Sequence, residues 1–367
     1  MRAPRFPALD GFRGLAVLAV FLYHIAFFGG FEGRTLLDRA LLAVATRGWL
    51  GVDLFFVLSG FLITGILLDT RDQPGALGQF YLRRVRRIVP AYAVALGVQV
   101  VVLAFRGEFA STRLAWTATW LTNILVAREG WTALPATMQH YWSLAVEEQF
   151  YLLWPLLALL ASRRSLMRIS ALCIVAASVS RVLFAQAGNP VAGYVLLPAR
   201  MDGLAVGALL AAAARGAEGM AGVARLVRPW GWGAAAVLTV LIAVRGRFDY
   251  GDPFVLAFGM NAAVVVIGAL MVNAAASGAS GVLGRSLEAR PLVAAGRYSY
   301  AIYLWHQPVI ICLTRLGLTS SVIPTLFGSE LPGALLLVLV AGSLTIGISV
   351  ASWRWVEAPI LNARPAP

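Results

Sequence analysis

The chain has 367 residues, of which 60% are hydrophobic and only 13% are charged, about half the share of roughly 25% that soluble domains carry. A soluble protein of this length could not bury so much apolar surface, so the composition excludes a soluble domain and favours an integral membrane protein. The net charge is +13, and every basic residue that contributes to it is Arg, since the chain has no Lys. Most of these Arg residues lie in short segments between apolar stretches, which points to anionic membrane lipids, not nucleic acid, as their partners.

Ten apolar stretches are predicted to cross the bilayer as helices, with ends uncertain by several residues, since a crossing needs about 20 residues. In chain order they are residues 14–31, 49–68, 88–105, 142–161, 169–187, 194–214, 230–244, 254–276, 299–316 and 332–355. The first stretch has no small-residue cleavage site, so it is predicted to be a transmembrane helix and not a signal peptide. Residues 1–367 are expected to form a single membrane domain without a fused extracytoplasmic domain.

The distribution of Arg predicts the orientation, because loops rich in Arg stay in the cytoplasm. A cytoplasmic N-terminus places five Arg-bearing segments inside: residues 2–5, 71–87, 163–168, 215–228 and 285–297. The apolar segment 114–126 is too short for a crossing, and counting it would invert every later loop. The sequence therefore predicts an all-α polytopic transmembrane helix bundle of about ten spans. Both termini are expected in the cytoplasm, with one re-entrant or external element near residues 110–140.

Seven motifs follow one another along the chain. They are ALDGFRGLAVLAVFLYH (8–24), GVDLFFVLSGFLI (51–63), YLRRVRRIVPAY (81–92), YWSLAVEEQFYLLWP (141–155), RMDGLAVGALLA (200–211), SYAIYLWHQPV (299–309) and VEAP (356–359). Over nearly the whole chain they resemble the acyltransferase-3 family of integral membrane O-acyltransferases. The resemblance implies transfer of an acyl group, usually acetyl from acetyl-CoA, to a hydroxyl of a glycan or small molecule. It also implies a bacterial cytoplasmic membrane location and no permanently bound cofactor.

Ionisable side chains inside a bilayer need a partner, a water-filled cavity or a function. The predicted spans and their edges contain a set of such residues: Arg13, His24, Asp53, Glu147, Glu148, Arg181, Arg200, Asp202 and His306. These are too many for helices that face lipid on all sides. They are therefore expected to converge on a polar interior.

Arg13 and His24 match the family's motif of an Arg and a His separated by ten residues. On one helix this spacing puts both side chains on the same face, about 16 Å apart. The imidazole of His24 is predicted to act as a general base toward the acceptor hydroxyl and to return the proton to the leaving thiolate. A covalent acyl-histidine and a structural hydrogen bond are the alternatives. Arg13 is predicted to organise the reaction channel, with lipid anchoring as the alternative.

Glu147 and Glu148 are adjacent and therefore point about 100° apart on a helix. One is predicted to orient His24, as a carboxylate does in a catalytic triad, and the other to pair with Arg181 or Arg200. Glu147 is slightly favoured for the catalytic role, because Ser143 lies four residues earlier on the same face. A buried structural ion pair is the alternative.

Structural pairing is the preferred interpretation of Asp53, Arg181, Arg200 and Asp202, which are expected to be buried polar support. Ser59 has no base beside it in the sequence and is not predicted to be a nucleophile. No spacing of Cys, His, Asp or Glu predicts a metal site.

Four Arg in five positions, among them Arg83, Arg84 and Arg87, precede the third span. Arg84 and Arg87 form the family's Arg-x-x-Arg pattern, and guanidinium groups bind phosphates such as those of coenzyme A in a bidentate way. The cluster therefore predicts a donor site, with membrane anchoring as the alternative. Tyr303 and His306 share a helical face and are predicted to add a second polar wall to this site, or to hydrogen-bond structurally.

The predicted function is a membrane O-acyltransferase that moves an acyl group from cytoplasmic acyl-CoA to a hydroxyl. The acceptor is a glycan or an amphiphilic natural product such as a macrolide. A transporter or flippase of a modified lipid or glycolipid is the rival hypothesis, because buried charges also suit transport. A transporter is expected to contain inverted repeats, which the sequence does not display, whereas an enzyme is expected to require His24.

Overall fold

A computed structural model describes residues 7–107, 111–246 and 248–362. Within these ranges the chain forms helices and no strand. The α-helices are α1 (Pro7–Phe28), α2 (Leu36–Ala45), α3 (Gly51–Thr70), α4 (Ala76–Phe105), α5 (Ser111–Ala118), α6 (Thr122–Glu129), α7 (Tyr141–Leu160), α8 (Arg163–Gln186), α9 (Pro190–Val195), α10 (Leu197–Ala213), α11 (Gly219–Arg245), α12 (Met260–Ser277), α13 (Val282–Leu287), α14 (Arg290–Arg297), α15 (Ser299–Arg315), α16 (Leu331–Ser352) and α17 (Ala358–Asn362). Short 3₁₀ and π segments join several of them.

Nine helical segments of the described ranges have the length and apolar character needed to cross a membrane. They are Pro7–Phe28, Leu36–Thr70, Ala76–Phe105, Ala136–Leu160, Arg163–Gln186, Pro190–Ala213, Gly219–Arg245, Val255–Ser280 and Leu331–Asn362. The remaining predicted span, 299–316, forms α15, which has 17 residues and stands at the lower limit for a crossing. Residues 301–311 of α15 are all buried, so this helix lies inside the bundle. The prediction of an all-α polytopic bundle is confirmed.

The apolar segment 114–126 does not form a single long helix. It is divided between α5 and α6, and the link between them contains Trp120 with a φ of +53°. Neither helix exceeds 8 residues, so neither can cross a bilayer. The segment instead packs on the bundle, where Asn123 and the side chain of Gln149 exchange hydrogen bonds of 3.1 and 2.9 Å.

The side of the membrane on which the termini lie stays a prediction. Arg2 and Arg5, which contribute to the predicted cytoplasmic N-terminus, are outside the described residues. The other Arg-bearing segments of the predicted cytoplasmic face lie between the long helices or in the first part of one, as the segment 83–87 does in α4.

Helices α3 and α10 cross at glycines that allow their backbones to touch. A Cβ added to Gly60 would lie 1.9 Å from the carbonyl oxygen of Leu204, and one added to Gly207 would lie 2.0 Å from that of Val57. Any larger side chain would push the two helices apart, as at other small-residue contacts between membrane helices. This close crossing matters because α3 and α10 carry the charged residues beneath the candidate site.

Candidate active site

Two cavities lie along the interior of the bundle. The first, here called the arginine cavity, has a volume of about 90 Å³. Its polar lining residues are Arg13, Ser59, Arg84, Arg87, Ser143, Glu147, Glu148, Tyr151, Ser299, Tyr300 and Tyr303. The second, here called the aromatic cavity, has a volume of about 290 Å³. It contains His24, His140, Gln139 and Gln307 among aromatic side chains.

The order of lining residues along the helices shows how the two cavities are arranged. On α1, Arg13 lines the arginine cavity and His24, three turns later, lines the aromatic cavity. On α3 and α7, which run in the opposite direction, the first residues line the aromatic cavity and later residues line the arginine cavity. Val52 and Tyr303 line both cavities. The two spaces therefore lie end to end along the helix axes, and only a thin layer of side chains separates them.

Arg84 and Arg87 reach the arginine cavity because α4 begins at Ala76, twelve residues before the predicted start of that span. The Arg-rich segment is thus helical, and residues three apart share a face. The guanidinium of Arg84 lies 4.8 Å from the ring centroid of Tyr151. Arg83 is exposed and its Nη1 donates to Gln79 Oε1 at 3.4 Å. The structure therefore does not bring Arg83 to this cavity, since adjacent helical residues point about 100° apart.

Glu147 is held by two hydroxyl groups in the arginine cavity. Ser59 Oγ donates to Glu147 Oε1 at 2.9 Å, and the hydroxyl of Tyr151 lies 3.2 Å from Oε2 and 3.0 Å from Ser59 Oγ. Neither Ser59 nor Tyr151 was predicted as a partner of Glu147, although Tyr151 follows Glu147 by four residues and so shares its helical face. Glu148 lines the same cavity. The structure places both carboxylates on the Arg13 side, which corrects the prediction that one of them orients His24.

His24 contacts another histidine instead of a carboxylate. Its Nδ1 lies 2.9 Å from Nε2 of His306, and the two ring centroids are 4.9 Å apart. The ring of His306 lies on His24 and not in the arginine cavity, which corrects the prediction of His306 as a wall of the donor site. Its contacts with the carbonyl oxygens of Ile302 and Tyr303 fit the alternative, a structural hydrogen bond. His140 completes the group, with its ring 5.2 Å from that of His306. All three histidines of the chain meet here. His140 was not among the predicted site residues, although it directly precedes the YWSLAVEEQ motif.

Tyr303 marks the boundary between the two cavities. Its hydroxyl lies 2.5 Å from Ser143 Oγ and 3.3 Å from the carbonyl oxygen of His140. The backbone carbonyl of Tyr303 accepts from the ring of His306. Tyr303 was predicted to share a face with His306, and it touches both the donor-side and the histidine-side residues.

Aromatic rings form most of the wall around His24. The lining contains four Tyr, three Trp and two Phe: Tyr23, Tyr194, Tyr250, Tyr303, Trp49, Trp131, Trp142, Phe27 and Phe28. The rings of Tyr194 and Tyr250 stack with centroids 4.1 Å apart, and Trp131 Nε1 donates to the hydroxyl of Tyr250 at 3.0 Å. Side chains from distant parts of the sequence thus build a broad aromatic surface, which no spacing in the sequence predicts.

Two buried ion pairs lie beneath this aromatic wall. Arg200 Nη2 donates to Asp53 Oδ1 and Arg181 Nη1 to Asp202 Oδ2, both at 2.8 Å. All four side chains are at most 1% exposed. These Arg residues pair with Asp, which corrects the prediction that a Glu of α7 pairs with one of them.

Arg200 also supports the rings of the aromatic cavity. Its guanidinium carbon lies 5.1 Å from the ring centroid of Tyr194 and 5.8 Å from that of Trp142. Phe56 packs against the same guanidinium at 5.2 Å. A cation held within about 6 Å of an aromatic face is attracted by the ring. The Asp53–Arg200 pair therefore fixes the position of two walls of the cavity.

Comparisons with known proteins agree with this arrangement of motifs. A family model described as an acyltransferase domain matches residues 6–354. The peptidoglycan O-acetyltransferase OatA of Listeria monocytogenes is 30% identical over 382 residues, which cover 96% of this chain and 55% of that protein. The O-acetyltransferase OatA of Staphylococcus aureus is 27% identical over 382 residues, covering 98% of this chain and 58% of that protein. The chain thus spans about half the length of these curated relatives. No solved structure is significantly similar to it.

The family model covers nearly the whole chain, and the residues of its motifs line two adjoining cavities in a membrane bundle. The chain therefore belongs to the acyltransferase-3 family of integral membrane acyltransferases.

Proposed function

We propose that this protein transfers an acetyl group from cytoplasmic acetyl-CoA to a hydroxyl of a glycan on the other side of the bacterial cytoplasmic membrane. The observation that carries the proposal is the end-to-end arrangement of a cationic cavity and an aromatic cavity, with Val52 and Tyr303 lining both. A donor and an acceptor that approach from opposite ends would meet near this boundary. His24 lines the cavity on the acceptor side.

The arginine cavity suits the donor because coenzyme A carries several phosphates. Arg84 and Arg87 lie on the cavity wall beside Arg13, and a guanidinium fork binds phosphate oxygens in a bidentate way. The predicted cytoplasmic position of the Arg-rich segment puts this wall on the side where acetyl-CoA is made. The acetyl thioester would extend from there toward Tyr303 and His24.

The aromatic cavity suits a saccharide ring. Aromatic side chains offer broad apolar faces against which the C–H face of a sugar packs, while nearby polar groups select its hydroxyls. The volume of about 290 Å³ is just below the roughly 300–1,000 Å³ of small-molecule pockets and has room for one sugar ring. The name of the Listeria monocytogenes relative, a peptidoglycan O-acetyltransferase, also supports a glycan acceptor.

The proposed reaction is a direct acyl transfer with His24 as the general base. The imidazole takes the proton of the acceptor hydroxyl while the oxygen attacks the thioester carbonyl. The carbon–sulfur bond then breaks, and His24 passes the proton to the departing thiolate of coenzyme A. A positioned general base of this kind contributes about 10²–10⁴-fold to a rate.

Mass spectrometry of cell material tests the proposed acceptor. Glycans and small-molecule extracts would be compared between cells that have the gene, cells that lack it, and deleted cells that express His24→Gln. We expect acetyl esters to disappear from one glycan fraction on deletion and to return only with the wild-type gene. Loss of acetyl from a macrolide-like compound, with every glycan unchanged, would contradict the glycan acceptor. Unchanged acetylation of all fractions would contradict the transferase itself.

The donor site makes a separate prediction. Arg84→Ala combined with Arg87→Ala is expected to weaken acetyl-CoA binding at least about 100-fold, because each charged hydrogen bond contributes roughly 1.5–3 kcal/mol. A Lys pair at these positions should restore only part of the affinity, because a point charge lacks the bidentate geometry. Isothermal titration of the purified protein in nanodiscs measures both effects.

Arg83→Ala is the matched control for this experiment. Arg83 has the same charge and lies on the same helix, but it points away from the cavity. It should leave the affinity for acetyl-CoA unchanged. A double variant that bound acetyl-CoA as tightly as the Arg83→Ala control would show that the Arg cluster is only a signal of membrane orientation.

A further inference from the structure

The contact between His24 and His306 fixes where the protons of both rings lie. His306 Nδ1 is 2.7 Å from the carbonyl oxygen of Tyr303 and 3.2 Å from that of Ile302. A carbonyl oxygen can only accept, so Nδ1 of His306 must carry a hydrogen. A neutral imidazole has one N–H, and Nε2 of His306 is therefore an acceptor.

This assignment determines the tautomer of His24. Its Nδ1 lies 2.9 Å from Nε2 of His306, and a hydrogen bond between two ring nitrogens needs one donor. Because Nε2 of His306 accepts, Nδ1 of His24 must donate. Nε2 of His24 is then left without a hydrogen, with a free lone pair. His24 lines the aromatic cavity, so an acceptor in that cavity would meet a ring whose Nε2 has a free lone pair.

We propose that His306 is the positioning residue for His24: it holds the base in its Nδ1–H tautomer and shares the positive charge that His24 gains during acetyl transfer. The O–H bond of the acceptor breaks and its proton goes to Nε2 of His24, as the new C–O ester bond forms and the C–S bond breaks. The Nδ1–H of the resulting imidazolium points at Nε2 of His306. The proton on Nε2 then leaves with the thiolate, and the pair returns to its neutral state.

The surroundings of His306 suit this task better than a role in packing alone. Its side chain is fully buried, and its Nδ1 is tied back to the preceding turn of its own helix, so the ring cannot rotate freely. The carbonyl oxygens of Ile302 and Tyr303 carry partial negative charge toward Nδ1–H and stabilise positive charge on the ring. In a Ser-His-Asp triad a carboxylate orients the base. Here the carboxylate of Glu147 is bound by Ser59, and an imidazole occupies the equivalent place.

Nitrogen NMR of histidine tests the tautomer directly. The chain has only three histidines, so ¹⁵N-histidine labelling of the wild-type protein in nanodiscs gives a spectrum that His24→Gln and His306→Gln assign. We expect both His24 and His306 to be protonated at Nδ1 and unprotonated at Nε2. A protonated Nε2 on His24 would overturn the proposal. The measurement needs neither donor nor acceptor, so its outcome is independent of the proposed function.

The kinetic test rests on the proposed function and uses two substitutions of His306. A Gln at this position can place its carbonyl oxygen near the former Nε2 and keep His24 in the same tautomer, but it cannot take up a proton. His306→Ala removes both the hydrogen-bond acceptor and the group that can take up a proton. We expect kcat to fall about tenfold in His306→Gln and at least about 100-fold in His306→Ala, within the usual range for acid–base catalysis. The KM for acetyl-CoA should stay within about twofold of wild type, because His306 does not touch the donor cavity.

The difference between the two variants separates positioning from packing. Equal losses in His306→Gln and His306→Ala, in folded protein, would show that the ring only fills space and would overturn the proposal. Wild-type kcat in either variant would do the same. Should His306→Ala fail to fold, the tautomer measurement on the wild-type protein and the rate of His306→Gln still decide the matter.

Discussion

His24→Ala is expected to lower acetyl transfer by at least about 10³-fold while acetyl-CoA binding stays within about twofold of wild type. The imidazole is the proposed base toward the acceptor, and general bases contribute up to about 10⁴-fold. Donor binding should persist because His24 lines the aromatic cavity and the three Arg residues line the other. His24→Gln should be equally inactive, since an amide fills the space and hydrogen-bonds but cannot take up a proton. Transfer of radiolabelled acetyl to glycan and isothermal titration of acetyl-CoA measure the two properties.

Leu15→Ala provides the matched control on the same helix. Leu15 is 41% exposed and lies on the lipid-facing side of α1. This substitution should change neither transfer nor donor binding. A His24→Gln protein that kept a tenth or more of wild-type turnover would contradict the role of His24 as base.

The second large effect concerns stability. Asp53→Ala is expected to destabilise the protein by about 3–5 kcal/mol, because it leaves the guanidinium of Arg200 buried and unpaired. Arg200 also supports Tyr194 and Trp142, so the aromatic cavity should lose its shape together with its activity. Thermal unfolding in nanodiscs and acetyl transfer at low temperature measure these two consequences.

Two further variants isolate the cause. Replacing both partners, with Asp53→Asn and Arg200→Met together, should recover most of the stability, since no unpaired charge remains. Activity should stay low, because Met cannot hold the two rings as a cation does. Asp69→Ala breaks a half-exposed pair with Arg215, whose side chains are 39% and 29% exposed, and should cost less than about 1 kcal/mol. Equal stability of Asp53→Ala and Asp69→Ala would contradict the account of the buried pair.

The helices could be predicted from the sequence because burial in a bilayer demands long apolar stretches, and these are visible without a structure. Their ends were less predictable. The span predicted to begin at residue 88 is part of α4, which begins at Ala76, because charge ends an apolar stretch but does not end a helix. For the same reason, α8 begins at Arg163, whereas the span was predicted to begin at residue 169.

Contacts within one helix could also be predicted, whereas contacts between helices could not. Helical spacing correctly groups Arg13 with His24 on α1, since both side chains reach the interior. It gives no information on partners far apart in the chain, such as His24 and His306, 282 residues apart, or Ser59 and Glu147, 88 residues apart. The aromatic cavity was missed for the same reason. Its rings come from loops and helix ends whose meeting depends on the whole bundle.

The order of the two cavities predicts that donor and acceptor react from opposite faces of the membrane. Proteoliposomes that contain the protein test this most directly, with acetyl-CoA added outside and glycan fragments from gene-deleted cells enclosed within. Acetylated glycan should form inside the vesicles with the wild-type protein and not with His24→Gln. Acetylation that occurred only when acetyl-CoA and glycan were on the same side would contradict the proposed passage of the acetyl group from the arginine cavity to the aromatic cavity.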